Sequence, residues 1–135
     1  MKVISGRIVS VEAERLEGKE FQGLDMNIQV HDIKDEGKNI EVVYSQATSY
    51  KKDFARMNVR GVIVAEVDDK EKKKILEDWK KNKQLPLDHA EGFLMAINYA
   101  TSTVGTLLAF AINVNAPLNI PRTKIMAANS PQKAG

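Results

Sequence analysis

Three observations predict an α+β fold: a four-stranded antiparallel sheet followed by a short helix and a long, almost fully buried helix. Four stretches rich in β-branched residues, separated by turn signals, fill the chain as far as Val67. Two segments that each open on D-x-x-E follow, with apolar residues at helical spacing. The third observation is the run from Gly92 to Pro121, which has no charged residue although 28% of the chain is charged. A helix that bare needs apolar cover on nearly every side, and one sheet face covers only one. The remaining cover has to come from another subunit, a bound chain or a membrane.

The strands come first. Val3 to about Glu14 opens the chain and ends in a charged connection containing Gly18 and Gly23, longer than a tight hairpin turn. From Leu24 the pattern alternates, with Leu24, Met26, Ile28 and Val30 on one face and Asn27, Gln29 and His31 on the other. Asp35-Glu36-Gly37-Lys38 is a hairpin signal, since Gly37 can take a positive φ. The third strand carries Ile40, Val42 and Tyr44 on one face, and Ser45 to Asp53 reads as polar and irregular. The fourth is Met57 to Val67. Strands 1 and 4 alternate poorly: Val62 to Ala65 are consecutively apolar, and Val9 and Val11 fall opposite Ile4 and Ile8. A sheet with one wet face shows polar residues at every second position, so both strands are expected to be covered on both faces, the second cover being another subunit.

The helices begin at Asp68-Asp69-Lys70-Glu71 and Asp88-His89-Ala90-Glu91, each read as a capping box. The first, about Lys70 to Lys83, carries Ile75, Leu76 and Trp79 on a narrow stripe. The second, about Ala90 to Val114, has Asn98, Ser102, Thr106 and Asn113 near one thin stripe. Its broad apolar face, Phe93, Ile97, Ala100, Val104, Leu107, Leu108 and Ala111, is the expected oligomer interface. Pro117 and Pro121 stop it.

Composition narrows the function. A chain of 135 residues is one domain, here 1–126, with 127–135 as a loose tail. The absence of cysteine excludes disulfides and thiolate chemistry. The first residues have no apolar signal-peptide core, so a cytoplasmic location is expected. His31 and His89 have no partner at metal-ligand spacing, and no nucleophile, phosphate-loop or zinc-protease motif occurs. Neither an enzyme nor a cofactor or metal is expected. The Asn, Ser and Thr content of the uncharged run argues against a membrane span.

The order of elements resembles the SecB-type export chaperones. Asn98-Tyr99-Ala100-Thr101-Ser102 stands where that family has Pro-Tyr-Ala-Arg-Glu, and Asn115-Ala116-Pro117-Leu118-Asn119-Ile120 where it has Leu-Ala-Pro-Val-Asn-Phe. The connection holding Phe21 is similar to the family's crossover loop. The resemblance implies an ATP-independent holdase, a dimer of dimers with long helices between outer sheets, gripping unfolded or export-bound chains in apolar grooves. It implies a lining of Leu16, Phe21, Leu24, Phe110, Val114, Leu118 and Ile120. Phe21 is the strongest of these on the residues themselves, because it sits in a charged, glycine-flanked connection. Thr101 and Asn98 depart from the motif, and the net charge of +2 departs from the acidic family. The family's export motor, SecA, is therefore not carried over with the fold, and SecB-like proteins attached to toxin–antitoxin pairs fit equally well. The alternative is a small oligomeric interaction module binding nucleic acid through the lysine-rich helix 70–83, against which stands the lack of any RNA-binding signature.

Overall fold

The computed structural model describes residues 1–19 and 21–117. Strands Lys2–Arg15 (β1), Leu24–Glu36 (β2), Asn39–Tyr50 (β3) and Ala55–Glu66 (β4) precede helices Asp69–Asn82 (α1) and Leu87–Ile112 (α2). The strands form one antiparallel sheet in the order β1-β4-β3-β2. β2, β3 and β4 are a meander. β1 pairs with β4, so the β1–β2 connection has to cross the end of the sheet.

Both helices lie on one face. Inward residues of β3 (Ile40, Val42, Tyr44) and β4 (Ile63, Ala65) join Ile33, Ile75, Trp79, Phe93 and Ile97 in the larger core cluster. Tyr50, Ala55, Met57 and Ala109 form a second cluster toward the end of α2. Ser45 to Tyr50 is strand rather than irregular. Gln46, Thr48 and Tyr50 continue the inward face of β3, and Gln46 Nε2 meets Asn98 Oδ1 of α2 at 3.5 Å. Polar residues are tolerated there because the helix above supplies polar partners.

The broken alternation of β1 comes from two irregularities of register, between Val3 and Ser5 and between Ile8 and Ser10. Each β-bulge inserts a residue and flips the phase. Val3, Gly6, Ile8, Val11 and Ala13 therefore share the helix side, while Ile4 and Val9 sit at the bulges. β1 is an edge strand, exposed along its length except at the half-buried Ala13. β4 is central, so its apolar run is shielded by strands on both sides.

The first capping box forms as expected: the Glu71 amide donates to Asp68 Oδ1 (2.7 Å) and the Asp68 amide to Glu71 Oε1 (3.2 Å). The second does not. α2 starts earlier, with Pro86 as N-cap and its carbonyl accepting from the His89 and Ala90 amides. Asp88 therefore lies in the first turn and accepts a bond from Lys74 Nζ at 2.9 Å.

Along α2 the inward row is Phe93, Ile97, Thr101, Gly105 and Ala109, with Asn98 beside it. The outward row is Met95, Tyr99, Thr103, Leu107 and Ala111, with Phe110 beside it. Both step by four residues, so an i±4 ridge lies along the sheet. Phe93 and Ile97 have no exposed surface; they are core, and no partner can reach them. Ala100, Val104 and Leu108 are half-buried, and only Leu107 and Ala111 of the expected interface face outward. The helix is not almost fully buried within its own chain.

Candidate functional site

The described residues of the crossover, 16–19 and 21–23, are laid against the β3–β4 turn by main-chain bonds. Leu16 N donates to Phe54 O (3.0 Å), Gly18 N to Asp53 O (2.7 Å), Gln22 N to Lys51 O (2.8 Å), and Lys51 N to Gly23 O (2.8 Å). Gly18 is required by this approach, because a Cβ there would lie 2.3 Å from the Lys52 carbonyl oxygen. Gly23 has φ +111°, a left-handed conformation that suits glycine.

This crossover delivers Phe21 to an aromatic group at the end of the sheet. Its ring lies 5.8 Å from that of Tyr50 and 6.3 Å from that of Phe54, both tilted. Arg15, the last residue of β1, places its guanidinium 4.6 Å from the centre of the Phe54 ring. The same guanidinium donates to the Ile112 and Asn113 carbonyls at 3.4 and 3.1 Å, where a cation favours the helix C-terminus.

Asn113 turns the chain with a φ of 57°, and the segment after it returns toward the sheet. Val114 and Ala116 pack on the second core cluster beside Leu24 and Phe54. The Tyr50 hydroxyl donates to the Asn115 carbonyl, and burial pushes this phenol up to about 12. Pro117 lies so close to Gly105 that a Cβ on the glycine would sit 2.8 Å from Pro117 Cγ.

Of the expected lining, Leu24 and Val114 belong to this end cluster, the half-buried Leu16 begins the crossover, and Phe21 is 41% exposed above it. Phe110, 76% exposed, stands apart on the outward row of α2. Leu118, Ile120 and the tail 127–135 lie outside the described residues. Tyr50, Phe54 and Arg15 were not foreseen. Their signal was positional: Tyr50 and Phe54 bracket the turn that the crossover has to pass.

Further apolar residues are exposed on α2 and β1. Met95, Tyr99, Leu107 and Phe110 project from α2, and Val3, Ile8 and Val11 of the edge strand β1 are also exposed. The start of α2 is tied to α1 by charge. His89 Nε2 is 3.0 Å from Glu71 Oε2, and the Met1 ammonium is 2.9 Å from the same oxygen. That ammonium, then the Asp68 amide and His89, bring the Glu71 carboxyl down to about 2.

No family model and no curated protein sequence matches this chain. Among solved structures, the chain is similar to the SecB-like chaperone Rv1957 of Mycobacterium tuberculosis, solved in complex with a ChAD peptide from the Rv1956 HigA1 antitoxin. The superposition covers 88% of this chain and 85% of that one, with a TM-score of 0.60 and 8% sequence identity. At that identity the likeness establishes the fold: this is an α+β chain with a SecB-like arrangement of sheet and helices.

Proposed function

We propose that this protein is an ATP-independent holdase that keeps unfolded or export-bound polypeptides from aggregating, acting in the cytoplasm as a homo-oligomer without cofactor or catalysis. The observation that carries the reading is the aromatic end cluster, in which Phe21 is held half out of the surface by a crossover fixed through backbone bonds. A binder of many sequences needs apolar area without a demanding hydrogen-bond pattern, and Phe21, Phe54, Leu24 and Val114 supply it. Burying a few hundred Å² of client there contributes roughly 25 cal/mol per Å² before ordering costs. The fold-level likeness to a protein bound to a peptide supports a polypeptide ligand.

The assembly we propose is a dimer of dimers. β1 presents exposed Ile4, Val9 and Val11 at an open edge, whereas the apolar residues of the other edge strand, β2, are at least half covered. The outward row of α2 supplies the second contact. Several linked grooves raise avidity without any tight single site. Such an assembly suits a client delivered by an export motor or by an antitoxin equally.

The test is suppression of aggregation of a reduced, unfolded substrate by purified protein without ATP, with mass by light scattering on the same sample. The reading expects suppression near stoichiometric ratio, weakened severalfold by Phe21→Ser with the fold retained. Absence of suppression by a well-folded oligomer would overturn it.

A further inference from the structure

We propose that the clients carry acidic residues on the extended flanks of their apolar segment, and that an unpaired lysine ridge on α1 recognises them; the inference rests on the holdase reading above. Lys72 and Lys74 of α1 are engaged within the fold, Lys72 by Asp35 and the Gly37 carbonyl, Lys74 by Asp88. Lys70, Lys73, Lys80 and Lys81 are exposed and make no ion pair among the described residues. At 3.6 residues per turn these four fall within one outward arc, opposite the buried Ile75 and Trp79. They span about 16 Å along the helix, the length of about five residues of an extended chain. Glu77 lies within the arc, with Lys73 and Lys81 four residues to either side of it.

The ridge and the candidate site are joined by β2. α1 is anchored by Lys72 at the β2–β3 turn, the end of β2 remote from the candidate site, and its Ile75 and Trp79 share a cluster with Ile33, Val30 and Ile28 of that strand. The 13 residues of β2 rise about 40 Å, so a client whose apolar part sits on the end cluster beside Leu24 reaches the ridge with an extended flank laid along β2. An acidic peptide fits the ridge better than a nucleic acid does. The aromatic of α1, Trp79, is buried beneath the Lys83 ammonium at 5.2 Å, so α1 presents no platform on which bases stack. Exposed ion pairs are individually weak and salt-sensitive. The ridge therefore selects among clients and steers their encounter, while apolar burial holds them.

The experiment uses three fluorescein-labelled peptides with one common apolar core and flanks of about a dozen residues rich in Glu, Ser or Lys, titrated by anisotropy with the full chain. A variant combining Lys70→Gln, Lys73→Gln, Lys80→Gln and Lys81→Gln keeps good helix formers on α1. The expected result is about five- to tenfold tighter binding of the Glu-flanked than of the Lys-flanked peptide. That preference should disappear in the variant and at high salt, with Ser-flanked binding unchanged in both. Equal binding of all three peptides overturns the charge preference and leaves the holdase reading standing. Failure of every peptide to bind overturns both. A labelled oligouridylate that binds more tightly than the Glu-flanked peptide, and is lost in the variant, overturns the acidic-peptide assignment in favour of nucleic acid.

Discussion

Tyr44 and Tyr50 are both buried on the same face of β3, six residues apart, yet their hydroxyls have opposite circumstances. The Tyr44 hydroxyl is buried without a hydrogen-bond partner among the described residues, and its ring end fills the space above Gly61, where a Cβ would lie 2.5 Å from it. The Tyr50 hydroxyl donates to Asn115. An unsatisfied buried donor is costly, whereas a satisfied one contributes about 1 kcal/mol. Tyr44→Phe is therefore expected to leave stability unchanged or raise it in denaturant unfolding, and Tyr50→Phe to lower it by about 1 kcal/mol. Gly61→Ala should destabilise by about 1–3 kcal/mol through overpacking, because the added carbon also meets the Arg7 carbonyl at 2.7 Å.

Glu71 gives a pH signature at the same scale. Its carboxyl is held near 2 in the fold against an ordinary value of 4.5. A depressed carboxylate contributes stability that is complete above the unfolded value and is lost as pH falls through the folded one. The stability difference between the wild type and Glu71→Gln should be constant above about pH 5 and shrink between pH 4.5 and 2. Thermal melts across that range check it. A difference that persists unchanged at pH 2 would mean that the ion pairs with Met1 and His89 do not stabilise the fold.

At the scale of elements, α2 separates two properties that its composition merges. Its inward row holds the chain together, and its outward row is free for a partner. Phe93→Ala should cost about 3–5 kcal/mol, read as a loss of chain stability whatever the state of assembly. Leu107→Glu, at a residue 64% exposed, should leave secondary structure intact and lower the mass of the oligomer. The helix was legible in the sequence as long, uncharged and apolar, but its buried side was not. The wheel favours the broad apolar face for packing, whereas the sheet receives Asn98, Thr101 and Gly105 and leaves Tyr99 and Leu107 outside. Gln46 and Thr48 on β3 make a polar patch on the sheet, where Gln46 meets Asn98 of α2, whereas the Thr101 hydroxyl donates back to the Ile97 carbonyl of its own helix. The pairing of Gln46 with Asn98 spans residues far apart in the chain, so no local pattern reports it.

At the scale of the whole molecule, the two sheet edges differ. β1 exposes valine and isoleucine, and the apolar residues of β2 are at least half covered. Val9→Lys, at a residue 62% exposed, places a charge among the exposed apolar residues of the β1 edge. It is expected to halve the assembly, as measured by light scattering, without changing the melting of the isolated chain. An unchanged mass would remove β1 from the interface.

The sequence by itself determined the number and order of strands and helices, the Gly37 turn and the Asp68 cap, because each depends on contacts within a few residues. It also singled out Phe21 as misplaced for a core residue. Which residues join Phe21 was decided only by tertiary structure. The β1-β4-β3-β2 order forces the crossover over the β3–β4 turn and brings Arg15, Tyr50, Phe54 and the residues after α2 to one end. The fate of the uncharged helix was decided there as well. Amphipathic periodicity gives the faces of a helix, but the surface it packs on chooses between them, and here that surface is partly polar.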